Sequence, residues 1–146
     1  MKRFFWITLW ILTAVSICSA QTAFYYPHVA NGLIGGAIWK TTILLTNPGG
    51  PDATGTIMLT KDTATAGAAG SPFSDIAFVD QNGAPAGSGG IITFSIPAGE
   101  TRKYTSSGTG AYAGGFAAVV TTAGTVSGTA IFSEFDAGGR LFAEVF

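Results

Sequence analysis

The sequence predicts an all-β protein: a single antiparallel β-sandwich of the immunoglobulin-like kind, with about seven or eight strands, behind an N-terminal signal peptide. Three observations support this prediction. Apolar and polar residues alternate with period two in short runs, turn residues separate these runs, and no stretch after residue 20 has the periodicity of a helix. Short strands spaced by roughly ten residues are typical of antiparallel sandwiches.

The first twenty residues have the three-part layout of a secretory signal peptide. Lys2 and Arg3 precede an uncharged apolar run over residues 4–17, and Cys18-Ser19-Ala20 supplies small residues for cleavage. The apolar run is shorter than the ~20 residues of a membrane-spanning helix, which favours cleavage over a retained anchor. We therefore expect residues 21–146 to form one exported domain, secreted, extracellular or at the cell surface, with the periplasm as a further location.

The composition of the exported part excludes several classes of function. Removing Lys2 and Arg3 leaves five of the seven basic residues against eight acidic ones, a net charge of −3. This balance and the lack of a basic stripe argue against nucleic-acid binding. No cysteine follows residue 20, so no disulfide supports the domain and its hydrophobic core must stabilise it alone.

The first half of the domain contains two clear strands. The run Ile38–Leu45 alternates, and the face that we expect to point inwards carries Trp39, Thr41, Ile43 and Leu45. The turn residues Asn47–Pro51 end this strand. Thr54–Lys61 alternates again, with an apolar face formed by Ile57 and Leu59. The small residues of Thr63–Pro72 predict a flexible loop.

The second half continues with short strands. Asp75–Asp80 leads into Gln81-Asn82-Gly83, which predicts a hairpin turn because Asn-Gly tolerates positive φ. Gly90–Ile96 alternates, with Ile92, Phe94 and Ile96 on one face, and ends at Pro97. Glu100–Ser107 is a more polar strand in which Arg102 and Lys103 guard an edge against aggregation. Three further strands are expected over residues 115–122, 125–135 and 140–146.

A family resemblance extends over almost the whole domain. Tyr26-Pro27-His28-Val29-Ala30-Asn31-Gly32, Trp39-Lys40-Thr41-Thr42 and Leu45-Thr46-Asn47-Pro48 resemble the opening of an uncharacterised module of secreted bacterial proteins, acidobacterial ones among them. Later segments follow that module in order: Gly55-Thr56, Asp80–Pro85, Ile96–Thr101, Gly115–Val119 and Val126–Phe132. Phe116 stands where the module often has tryptophan. The resemblance implies an immunoglobulin-like sandwich and a secreted location, and it transfers no catalytic residue.

Catalysis, metal binding and cofactors find no support in the sequence. His28 is the only histidine, and no G-x-S-x-G segment presents a serine for it to activate. We interpret His28 as a core or rim residue. A zinc site usually has three or four His, Cys or carboxylate ligands, and a single histidine with no cysteine after residue 20 argues against one. Asp80–Gly83 resembles part of a calcium loop but lacks its later ligands, and no spacing singles out two carboxylates for glycoside hydrolysis. We therefore expect a protein that is not an enzyme and binds no cofactor or metal.

Recognition by aromatic side chains remains open. The candidate ligand-binding residues are Tyr25, Tyr26, His28, Trp39, Tyr104 and Tyr112. Such rings can form a platform on which sugars stack. In the alternative interpretation, Trp39 fills the core between the sheets and the tyrosines lie at its rim with their hydroxyls in water.

Three functions follow as hypotheses. The first is a non-catalytic secreted or cell-surface module with a structural, adhesive or protein-interaction role, self-associating through an exposed edge such as Arg140–Phe146. The second is a carbohydrate-binding module with polysaccharide as partner. The third is a small outer-membrane β-barrel, which the alternating strands and terminal Phe146 suggest and the polar run Glu100–Ser107 disfavours. The first two involve no membrane span after signal cleavage.

Overall fold

The computed structural model describes residues 22–62 and 69–146, in which all regular structure is β-strand. The predicted signal peptide, residues 1–20, and residues 63–68 of the predicted loop lie outside the described residues. In the described part, no helix is long and apolar enough to cross a membrane. The strands are β1 Thr22–Ile34, β2 Ala37–Thr46, β3 Ala53–Lys61, β4 Ala77–Val79, β5 Pro85–Ser88, β6 Ile91–Ile96, β7 Thr101–Ser106, β8 Ala113–Ala123, β9 Ser127–Phe135 and β10 Leu141–Val145.

The sheet closes on itself, so the all-β prediction is confirmed but the immunoglobulin-like sandwich is wrong. Eight strands form an antiparallel barrel in the order β1-β8-β3-β6-β5-β4-β7-β2, and β2 pairs with β1 again. The closing strands are short: β4 has three residues and β5 has four. Together they join β7 to β6 and bridge the side that would be open in a sandwich.

Strand β1 closes the other side because it is long enough to have two partners. Its residues 22–31 pair with β8, and its last three residues pair with the start of β2 through a hairpin at Gly35-Gly36. Next to this pairing, a side chain holds β1 and β2 together. The Thr41 hydroxyl accepts a hydrogen bond from Ala30 N and donates one to Ala30 O, both at 2.9 Å. Both residues are fully buried, so this contact is an internal clamp at the seam of the barrel.

Strands β9 and β10 lie outside the ring. β9 pairs with β2 along its length, from Ile38↔Phe135 to Thr46↔Ser127. β10 then pairs with β9 and is the last strand in the order. The barrel therefore carries a two-stranded extension whose final strand has a neighbour on one side only.

The interior of the barrel is an aliphatic and aromatic core, as the alternation predicts. Ile57 and Leu59 are buried while Met58 between them is 39% exposed, and Ile92 is buried while Ile91 is 59% exposed. On β2 the predicted inner face is confirmed by the full burial of Thr41, Ile43 and Leu45, with Trp39 half-buried at its end. The core is completed by Val29, Phe73, Ile76, Phe78, Phe94, Ile96 and Val119.

Two hairpins use the same turn. Asp80 Oδ1 accepts from the N–H groups of Asn82 and Ala84, and Asp136 Oδ1 accepts from those of Gly138 and Arg140. The glycines of both turns, Gly83 and Gly139, have φ of 80° and 79°, a conformation that suits glycine. The predicted hairpin at Asp80 is confirmed, and its carboxylate is used by the turn itself.

Asn47 explains why the turn after β2 has its sequence. Its side chain is fully buried; Nδ2 donates to the carbonyls of Pro51 and Ile96, and Oδ1 accepts from Gly49 N. The amide thus replaces strand pairing where β2 ends. The predicted edge guards Arg102 and Lys103 lie on β7. This strand pairs with β2 on one side. On the other side it pairs with β4, and only at Thr105 and Ser106.

Candidate functional site

Three of the six predicted ligand-binding residues meet in one place. His28 on β1, Trp39 on β2 and Tyr112 before β8 form a continuous row of rings through Phe132 of β9, a residue that was not among the predicted candidates. We call these four residues the aromatic row. Consecutive ring centroids, from His28 through Phe132 and Trp39 to Tyr112, are 4.4, 5.9 and 6.4 Å apart.

The strands explain why these rings meet. Phe132 is the register partner of Thr41, and since opposite residues on paired strands share a face, Phe132 lies on the same face as Trp39. His28 reaches Phe132 because the β1–β8 register shifts between Tyr26 and Val29, which turns residues 27 and 28 out of the regular alternation. The row is therefore set by one strand pairing and one bulge.

The outer end of the row, at Trp39 and Tyr112, has two carboxylates nearby. The Phe132 and Trp39 rings are nearly parallel, with an interplanar angle of 28°, and Glu134 is the register partner of Trp39 on the same face. Beyond Trp39, burial and the negative charge of Asp62 raise the pKa of Tyr112. The row thus combines the exposed ring of His28 and three half-buried rings with carboxylates nearby, a combination suited to binding.

Tyr26 lies below the row and is buried, contrary to its expected place at a wet rim. Its hydroxyl has no hydrogen-bond partner among the described residues. A β-carbon at position 128 would lie only 2.6 Å from that hydroxyl, so Gly128 makes room for it. Burial raises the pKa of Tyr26 to about 12, so the phenol stays neutral and cannot serve as a base.

The remaining two candidates lie away from the row. Tyr25 is 67% exposed and its register partner is Ala118 on β8, so it is an isolated surface ring. Tyr104 is buried in the core of the barrel. Burial raises its pKa, and the charges of Arg102 and Asp80 have opposing smaller effects. The structure therefore does not bring Tyr25 or Tyr104 to the aromatic row.

Two depressions flank the extension. A cavity of about 190 Å³ lies between β1 and β9, lined by Tyr26, Pro27, His28, Thr129, Ala130, Phe132 and Phe146. A groove of about 390 Å³ lies at the turn end of β9 and β10, lined by Gly35, Gly36, Ala37, Glu134, Phe135, Asp136, Ala137 and Phe142. Both are predominantly apolar and both include a phenylalanine from the C-terminal end of the chain.

The ring of His28 lies beside the apolar cavity between β1 and β9. Its ring contacts Phe132, with 4.4 Å between the two ring centroids. The described residues contain no group of three His, Cys, Asp or Glu that could hold a metal ion.

The most exposed apolar surface belongs to β10. Every residue of Leu141–Val145 is exposed, which means that neither face of the strand is covered. The large side chains are Leu141 at 54%, Phe142 at 78%, Val145 at 48% and, directly after the strand, Phe146 at 83% exposure. We call residues 141–146 the exposed C-terminal strand. Its apolar character was visible in the sequence, but its lack of cover was not.

Comparison with known proteins gives no relative. No protein-family model, curated protein or solved structure matches the chain.

Proposed function

We propose that this protein is a non-catalytic secreted or cell-surface β-barrel that acts as an adhesive or structural module by binding protein through its exposed C-terminal strand. One observation carries the proposal: a strand at the end of the sheet, apolar on both faces, has no cover on either face. Soluble proteins protect free strand edges because these template pairing with another chain. The export part of the proposal is supported by the layout of residues 1–20.

The strand also has few of the devices that block such pairing. Leu141–Val145 contains no lysine and no proline, and its single charge, Glu144, accepts a hydrogen bond from Ser133 Oγ at 2.8 Å within the extension. A register shift between Leu141 and Ala143 adds twist on the β9 side. An extended partner strand would gain main-chain hydrogen bonds along the free edge and apolar contacts on both faces.

The test compares three forms of the protein as bait in the secreted fraction of its native host. Phe142→Lys places a charge on the exposed strand, and Ile91→Lys is the matched control because Ile91 is 59% exposed on β6. We expect proteins that the wild type and Ile91→Lys retain to be lost from Phe142→Lys, as quantified by mass spectrometry. Identical retention by all three forms would refute the use of this strand.

A second candidate function, carbohydrate binding, is favoured by the outer part of the aromatic row. Half-exposed Trp39 and Phe132 are nearly parallel, and Glu134 beside them could accept hydrogen bonds from sugar hydroxyls. A glycan array is the test, with Trp39→Ala against the matched control Tyr25→Ala, an isolated exposed ring. Binding that Trp39→Ala abolishes and Tyr25→Ala preserves supports this function, whereas silence across plant, fungal and bacterial polysaccharides argues against it.

The third hypothesis, an outer-membrane barrel, shares the barrel fold with this structure and differs from it in polarity. A membrane barrel has an apolar band on its outer surface and a polar interior. Here the interior is apolar, while the outward positions of β3 are mainly threonines: Thr54, Thr56 and Thr60 alternate with buried residues. An apolar interior and a polar outer surface are typical of a barrel in water, so we do not propose a membrane location.

A further inference from the structure

We infer that the partner of the exposed C-terminal strand is the same strand of a second copy, so that the protein forms a twofold-symmetric dimer by antiparallel pairing of β10 with β10. This inference rests on the proposed function, because it names the partner of the same strand. It requires that one surface match itself, that the exposed area suit a dimer, and that no like charges meet.

The area is that of a weak dimer. With about 200 Å² for a phenylalanine side chain, exposures of 78% for Phe142 and 83% for Phe146 leave about 300 Å² uncovered. Leu141 and Val145, each about half exposed, add on the order of 100 Å². Two copies therefore offer about 800 Å² before any backbone is counted, close to the ~1,000 Å² at which specific interfaces begin. Such a dimer dissociates on dilution.

The register follows from full overlap of the two strands. Since β10 spans Leu141–Val145, antiparallel overlap centres on Ala143 and places Leu141 opposite Val145 of the second copy. The small Ala143 then faces its own counterpart at the twofold axis. Glu144 lies opposite Phe142 of the other copy, so the two carboxylates do not meet. A twofold interface of this kind closes at two copies and cannot extend into a filament.

The antiparallel direction also gives Phe146, the most exposed of the large apolar side chains, a place to bind. It brings Phe146 of each copy towards residue 140 of the other, where the hairpin turn ends. There the groove of about 390 Å³ presents Ala137, Phe135 and Phe142, with the carboxylates of Glu134 and Asp136 also in its lining. A phenylalanine ring is of suitable size for that mainly apolar groove, so the pairing covers the two most exposed phenylalanines in each copy together.

The first measurement is sedimentation equilibrium over a hundredfold range of concentration without detergent. We expect a monomer–dimer equilibrium for the wild type and for Ile91→Lys, and a dissociation constant at least tenfold higher for Phe142→Lys. Val145→Lys is a second variant at the same edge in case Phe142→Lys folds poorly. A wild type that stays monomeric throughout, or a dimer that neither lysine variant weakens, would overturn the inference.

The second measurement tests the register. In a Cys18→Ser background, Ala143→Cys places one thiol at the proposed twofold axis, and Ala98→Cys, in an exposed turn, is the control. Mild oxidation should link Ala143→Cys into a covalent dimer and leave Ala98→Cys unlinked; equal linkage in both would contradict the pairing. If the wild type is monomeric and yet retains host proteins that Phe142→Lys loses, the self-pairing is wrong and the proposed function stands.

Discussion

Replacing Thr41 with valine removes the clamp between β1 and β2 and leaves the shape of the side chain nearly unchanged. The Thr41 hydroxyl makes two hydrogen bonds of 2.9 Å to Ala30, one to its N–H and one to its carbonyl. Both residues are fully buried, so water cannot replace the hydroxyl. Each lost bond costs about 1 kcal/mol, and the two backbone groups left without a partner add about 1 kcal/mol or more between them. We expect the free energy of unfolding to fall by about 3 kcal/mol.

Thr42→Val is the matched control, since it makes the same chemical change one residue further on. The Thr42 hydroxyl contacts that of Thr105 at 3.1 Å in a half-buried position on the other face of β2. Losing that contact should change the free energy of unfolding by no more than about 0.5 kcal/mol.

Urea unfolding measured by tryptophan fluorescence is the assay, because Trp39 is the only tryptophan after residue 10 and lies two residues from the clamp. The two variants should differ by more than 2 kcal/mol, by the estimates of about 3 and about 0.5 kcal/mol for their separate effects. If Thr41→Val and Thr42→Val differ by less than about 1 kcal/mol, the clamp does not hold the seam and the account of barrel closure is refuted.

The remaining predictions concern orphaned and titrating groups. Thr121 is buried, and its hydroxyl has no hydrogen-bond partner among the described residues. Thr121→Val should therefore raise the free energy of unfolding, measured by urea unfolding, by about 1 kcal/mol. A decrease in that free energy of more than about 1 kcal/mol would contradict the prediction. Because the pKa of Tyr26 is raised to about 12 in the folded protein, the wild type should lose stability as pH rises above about 10, and Tyr26→Phe should lose less; parallel curves would contradict this. Hydrogen bonds from the Arg140 N–H and guanidinium lower the pKa of Asp136, so the β9–β10 turn should keep its protection from amide exchange at neutral pH and lose it as pH falls through that lowered pKa. In Asp136→Asn that acid-dependent loss should vanish.

Which residues face the core could be predicted from the sequence because each strand carries that information by itself. In Gly90–Ile96, alternation alone identified Ile92, Phe94 and Ile96, and all three are buried. The Asn-Gly hairpin was equally local. A strand's own pattern states which face is inside, and it is the same for a sandwich wall and a barrel wall.

Barrel closure could not be predicted, because it depends on which strands pair. No local signal in the sequence indicates that one strand, β1, pairs with both β8 and β2. The three-residue β4 and four-residue β5 are also too short to show a clear period. Without these two bridges, the same strands describe an open sandwich.

The candidate site shows the same limit. His28, Trp39 and Tyr112 were selected as aromatic residues, and the structure joins them, yet the residue that connects them, Phe132, was missed. Its signal lies in the pairing of β9 with β2, which places Phe132 opposite Thr41. Tyr26 is a candidate residue that the structure places in the interior. Its hydroxyl lies next to Gly128, and no local sequence pattern predicts a buried tyrosine there.

The shared strand β1 has a consequence for the time at which the molecule can fold. Thr22 pairs with Thr121, so the ring stays open until nearly the whole chain has left the ribosome. Pairings between such distant residues form slowly, in milliseconds to seconds. The first twenty residues predict that the chain crosses a membrane before it folds. Because β1 cannot pair with β8 until both have been synthesised, the barrel cannot close early, and this delay favours an unfolded chain during export.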